Sequence, residues 1–384
     1  MPQPSRETVA RVLAASAAGV GVVLSARALL RPQATASERQ LIDWEIVRQT
    51  AVERSGERLG SGLSSDEAGR LGALYTGMAE DLAPLLGEVC NDMPFEPPRF
   101  VALDRRGFID VNIAIVRRLL DPVEKLRATM PDSIATNFGR RLMDRYIGEL
   151  MGLMARRVLG QYDPVLSLAP PDSELATAQP ALYLVEPNIM AIQREQNVPG
   201  EALRRWLILH ELTHAWQFSQ HPWLREHIVG ITRGLLTESL TADGSRFLDS
   251  QEMLKRLPQT VRTQMRTVSK VQAVMSVLEG YSNFVMHTVG KRHLARHDDL
   301  EAAMHRRREQ RTLLERLVMA LTGLELKMRQ YEIGEQFCDA VVKQSDLATL
   351  NRVWESAEMM PTMAELKNPS SWLARVGRTP ATAS

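Results

Sequence analysis

The stretch Trp206-Leu-Ile-Leu-His210-Glu211-Leu-Thr-His214-Ala-Trp216 decides how this chain is read. It contains the pattern His-Glu-x-x-His. On a helix, residues four apart share a face, so His210 and His214 can offer imidazoles to one metal ion. Glu211 projects about 100° further round the helix, where it can hydrogen-bond a water on that ion rather than ligate it. Zinc lowers the pKa of such a water toward about 7 and polarises a carbonyl, which gives Glu211 the position of a general base. With 8 His in 384 residues, chance supplies about 0.01 copies of the pattern. The residues around the motif are uncharged and no proline interrupts them. The segment therefore suits a buried helix that walls a metal from bulk water.

A catalytic zinc takes a third protein ligand and keeps a fourth position open. One class of proteins with this motif uses a His six residues after the second, with a Gly between. Here those positions hold Gln220 and Gln217, which excludes that class. The other common solution is a Glu on a later helix, and two are candidates. Glu238 sits among Thr237, Ser239 and Thr241 and reads as a solvated helix residue. Glu279 has Met275 four residues before it and Met286 seven after, so its stripe is apolar. An unpaired carboxylate there is costly, and a metal would resolve that cost.

The chain reads as mainly α with a small β-sheet, an α+β fold. Helical spacing covers 41–59, 64–90, 107–128 and 133–159, with Ser64-Ser-Asp-Glu67 as a capping box. Arg99–Leu103 and Ala181–Val185 read as strands, the second apolar and bounded by Pro180 and Pro187. Residues 160–180 read as turn-rich. After Asn188 the pattern predicts helices over 188–196, 200–219, 223–254, 257–290, 296–322, 324–344 and 346–356. The composition, 44% hydrophobic and 24% charged, is that of a soluble globular protein. A net charge of +1 from 47 basic and 46 acidic residues gives no case for nucleic acid as a partner. Cys90 and Cys338 stand alone and read as two reduced thiols.

Three segments follow: an N-terminal apolar segment and linker over 1–40, one domain over 41–376 and a frayed tail over 377–384. Residues 12–30 are nearly uncharged, broken by Arg27, and short of the roughly 20 residues of a spanning helix. They offer a membrane contact, so the expected location is cytoplasmic or membrane-associated. No oligomeric state is assigned.

Several blocks outside the motif carry a resemblance. They include Asp43-Trp-Glu, Leu119-Leu-Asp-Pro122, Val158-Leu-Gly-Gln-Tyr-Asp-Pro164, Pro222-Trp-Leu-Arg225, Leu278-Glu-Gly-Tyr281, Lys327-Met-Arg-Gln-Tyr331 and Asn351-Arg-Val-Trp354. Together with His210–His214 the chain resembles the type 2 zincin-like metallopeptidase family, associated with deazaflavin-cofactor biosynthesis. The resemblance implies a zincin-like fold and a zinc-dependent peptidase acting on a peptide or protein substrate. It places zinc (Zn2+) on His210, His214 and Glu279. No Gly-rich phosphate loop accompanies the cofactor association.

Where the family often has acids after the Glu-Gly pair, this chain has Asn283 and His287. An acid there would orient a ligating His. These departures support an alternative, a catalytically weak or inactive zincin-like interaction protein. Tyr281, Tyr162 and His287 are the candidates for stabilising an oxyanion. Strand Ala181–Val185 is a candidate edge for an extended substrate. His293 and His297 form a second pair four apart, in a charged stretch that reads as a solvated face, as does the basic run at Arg306.

Overall fold

The protein, a computed structural model, is described over residues 42–56, 62–90, 95–128, 137–162, 181–241, 250–309 and 324–377. The N-terminal segment 12–30, the break at Pro131 and residues 378–384 lie outside these, as does the side chain of Glu238. Among the described residues no helix is long and apolar enough to cross a membrane.

Helix α1 (Trp44–Ser55) starts where the Asp43 carboxylate accepts the Glu45 and Ile46 N–H groups at 3.1 and 3.2 Å, a side-chain N-cap. It ends at Gly56, whose φ of 67° terminates it in the left-handed conformation. Helix α2 (Ser65–Leu82) starts at the predicted cap, with Ser64 accepting from Glu67 N–H at 3.3 Å. Then come strand β1 (Arg99–Leu103), helices α3 (Arg105–Ala128) and α4 (Asn137–Ala155), and strands β2 (Gly160–Tyr162) and β3 (Ala181–Val185). Gly148 and Gly152 let α4 lie directly on α1. A Cβ on either would come within 2.7 Å of the Val47 carbonyl or 2.5 Å of the Ala51 carbonyl.

The sheet has the order β1-β3-β2. All five residues of β3 pair with β1 in parallel, and Leu182–Leu184 pair with β2 antiparallel. Ala181–Val185 is therefore the central strand, which corrects its reading as a substrate edge: both of its sides are occupied. The stretch predicted as turn contains the third strand, β2, which forms an edge of the sheet among the described residues.

Helices α5 (Glu186–Gln196) and α6 (Gly200–Gln220) follow, then α7 (Pro222–Thr241), α8 (Ser250–His293), α9 (His297–Glu309) and α10 (Leu324–Gln344). Helix α8 runs through Pro258, so the break predicted near that residue is absent. Short helices α11 (Leu347–Asn351), α12 (Met363–Lys367) and α13 (Pro369–Val376) close the described chain. Glu186 is buried and held by the Tyr75 hydroxyl and the Arg204 guanidinium, tying α5 to α2 and α6. The larger core gathers α2, the sheet and α6, α8 and α10. A smaller one joins α1, α3 and α4 around Val47, Ala51, Phe108 and Ile109. Cys90 and Cys338 are free and buried.

Candidate metal centre

Helix α6 is buried along most of its length. Leu203, Ile208, Leu209 and Leu212 are fully buried, with Ala215 and Trp216 nearly so, as expected of a helix placed inside a core. His210 and His214 emerge together on its one polar stripe, their Nε2 atoms 3.2 Å apart. Helix α8 brings Glu279 to the same point, its Oε2 lying 3.6 Å from His210 Nε2 and 3.5 Å from His214 Nε2.

These spacings match a metal site. Ligand bonds of about 2.0–2.2 Å to a tetrahedral zinc put neighbouring donor atoms about 3.3–3.6 Å apart. The second layer fits as well. The Gln217 amide donates to the Leu278 carbonyl at 3.1 Å, which leaves its oxygen facing His214 Nδ1 at 2.9 Å. Ser282 likewise donates to Leu278 O at 3.0 Å and sits 3.3 Å from the same Nδ1. Both oxygens can only accept there, so Nδ1 carries the proton and Nε2 keeps its lone pair for a cation. Gln217 is fully buried. Orientation of His214 falls to Gln217 and Ser282. His210 Nδ1 is buried without a partner, the kind of exception that functional sites carry.

The electrostatics follow from this crowding. Burial pushes the Glu279 carboxyl up, but His214 and His210 outweigh it and hold it well below the usual range. Burial pulls the His214 imidazole down, but Glu279 outweighs it and raises the metal-free group to about 9. Glu211 is 6% exposed. Burial raises its pKa, against the pull of the two histidines.

Strand β2 holds Glu211. The Tyr162 backbone N–H bonds its carboxylate, and a Cβ at Gly160 would sit 2.6 Å from Glu211 Oε1. Gly160 thus lets the strand touch the carboxylate. Behind Glu279, helices α8 and α10 cross with Gly280 against Gly334, and a Cβ on Gly280 would come 2.5 Å from Glu335 N.

Two of the three expected oxyanion donors, Tyr281 and His287, lie elsewhere. The Tyr281 hydroxyl is fully buried and donates to Asn351 Oδ1 at 2.7 Å, while the ring stacks on Trp216. Tyr162 approaches Glu211 through its backbone, and its ring packs 5.5 Å from Phe218. His287 is exposed two turns beyond Glu279, 3.6 Å from Glu301. Tyr281 and His287 thus find their partners away from the three-ligand cluster.

The sequence pattern of the zincin-like metallopeptidase family matches residues 42–373. The chain is similar to a crystal structure from Chloroflexus aurantiacus described as a candidate hydrolase with a novel fold. The two share 32% identity at a TM-score of 0.65, over 88% of this chain and 100% of that one. A search of curated proteins finds no match.

Proposed function

Because the chain belongs to the zincin-like metallopeptidase family, we propose that it is a zinc-dependent peptidase whose reaction centre is the three-ligand cluster between helices α6 and α8. The observation that carries this reading is the convergence of His210, His214 and Glu279 beside a buried carboxylate, Glu211, that lies outside that group. His210, His214 and Glu279 would hold the metal. When bound, zinc supplies an acidified water and a Lewis acid for the scissile carbonyl. Glu211 accepts the proton of the attacking water and passes it to the leaving amine. Its burial and raised pKa suit that task, since a base works best with a pKa near the operating pH. The Tyr162 N–H and the bare backbone of Gly160 keep the carboxylate in one place. Gln217 and Ser282 keep His214 in the ligating tautomer. The substrate class is a peptide or protein.

The test is turnover of casein or a peptide library by the zinc-loaded protein, compared with Glu211→Gln. The expected loss is roughly 10²–10⁴-fold at unchanged zinc content. Equal rates for parent and variant would remove Glu211 from the role.

A further inference from the structure

We propose that His287, His297, Asp298 and Glu301 form a second divalent-metal site, separate from the centre at Glu279. His297 is the key group. The sequence places it in a charged stretch with His293, but the structure separates the two. His293 pairs with Glu88 at 2.5 Å, whereas His297 is 6% exposed. Its ring lies against Gly290, where a Cβ would come within 2.7 Å of Cδ2.

His297 Nδ1 is buried with no hydrogen-bond partner. It faces Asp298 Oδ1 at 3.5 Å, too far for a good hydrogen bond and close to the spacing of two ligands on one metal. A buried ring nitrogen without a hydrogen bond has given up its hydration for no more than a distant carboxylate, and a cation in front of it would restore the balance.

The remaining donors are already gathered. One ligand-type atom from each of His297, Asp298 and Glu301 lies within 4.8 Å of the other two. Glu301 Oε1 also stands 3.6 Å from His287 Nδ1, and the two imidazole centroids are 5.7 Å apart. His287 comes from the end of α8. Arg296, in the left-handed conformation at φ 60°, turns the chain into α9. There His297 and Glu301, four apart, share a helix face.

Two imidazoles and two carboxylates suit zinc or a neighbouring first-row ion rather than calcium or magnesium, which take oxygen ligands. Asp298 and Glu301 are exposed, so the acids cost little without an ion. A bound ion would clamp the end of α8, the helix that carries Glu279, to the start of α9.

The test is zinc stoichiometry of the full-length protein after desalting from excess ZnCl2, measured by mass spectrometry of the metal. The wild type is expected to retain about two equivalents, and Glu301→Ala and His287→Ala, both at exposed positions, about one. Glu279→Ala is also expected to retain about one, and the Glu279→Ala/Glu301→Ala pair none. One equivalent in the wild type, lost in Glu279→Ala, would overturn the second site and leave the first standing. Two equivalents in both exposed-site variants would place the second ion elsewhere and also overturn it. No retained zinc in the wild type would overturn both sites.

Discussion

Gln217 shows how one buried amide fixes a ligand. It gives its N–H to Leu278 and its oxygen to His214, so its loss leaves the imidazole Nδ1 to the more distant Ser282 hydroxyl at 3.3 Å. Gln217→Ala is expected to weaken zinc binding roughly 10–100-fold, measured by competition with a chromophoric chelator; unchanged affinity would count against the orienting role. The protonation of His214 sets a second expectation. Glu279 holds the metal-free imidazole at about 9, so below that pH zinc must displace a proton. Affinity should therefore fall about tenfold for each pH unit below about 9 and level off above it. A flat profile between pH 6 and 9 would contradict this. At this scale the sequence was legible where the chemistry is contiguous: His210, Glu211 and His214 lie within five residues. Glu279 was legible through its apolar stripe together with the family resemblance. Gln217 was not, because its partner Leu278 is 61 residues away. Tyr281 misled although helix geometry argues against it: two residues beyond Glu279, it faces the other side of the helix. His287, eight residues on, lies about 12 Å along the axis.

At the scale of elements, two glycine contacts connect the fold to the centre. Gly160 allows β2 to touch Glu211, and a methyl there must push the carboxylate aside. Gly160→Ala should lower kcat while zinc stoichiometry is retained, read by turnover and metal analysis together. A parent-like kcat would show that the contact does not position Glu211. Gly280 and Gly334 set the crossing of α8 and α10, where backbone meets backbone. Gly280→Ala is expected to cost at least the roughly 1–3 kcal/mol of overpacking and to weaken zinc binding as Glu279 shifts, checked by chemical denaturation and chelator competition. The helices were largely legible from their period, and 324–344 agrees to the residue. Strand pairing was not. Ala181–Val185 announces itself by apolar content, but its central place depends on β1 and β2, and three-residue β2 is too short to carry a pattern of its own.

Across the whole molecule, the near-neutral charge leaves the electrostatics concentrated in small clusters, and the main one joins two helices distant in sequence. A ligand that binds only the folded chain stabilises it, by about 4 kcal/mol at a thousandfold excess over Kd. Zinc should therefore raise the unfolding temperature, and Glu279→Ala should lose the part of that rise that this centre supplies. The most direct measurement is anomalous diffraction at the zinc edge from crystals grown with saturating zinc. The expected result is a peak about 2.0–2.2 Å from His210 Nε2, His214 Nε2 and a Glu279 carboxylate oxygen. No anomalous density among those three atoms would contradict the assignment of the metal centre.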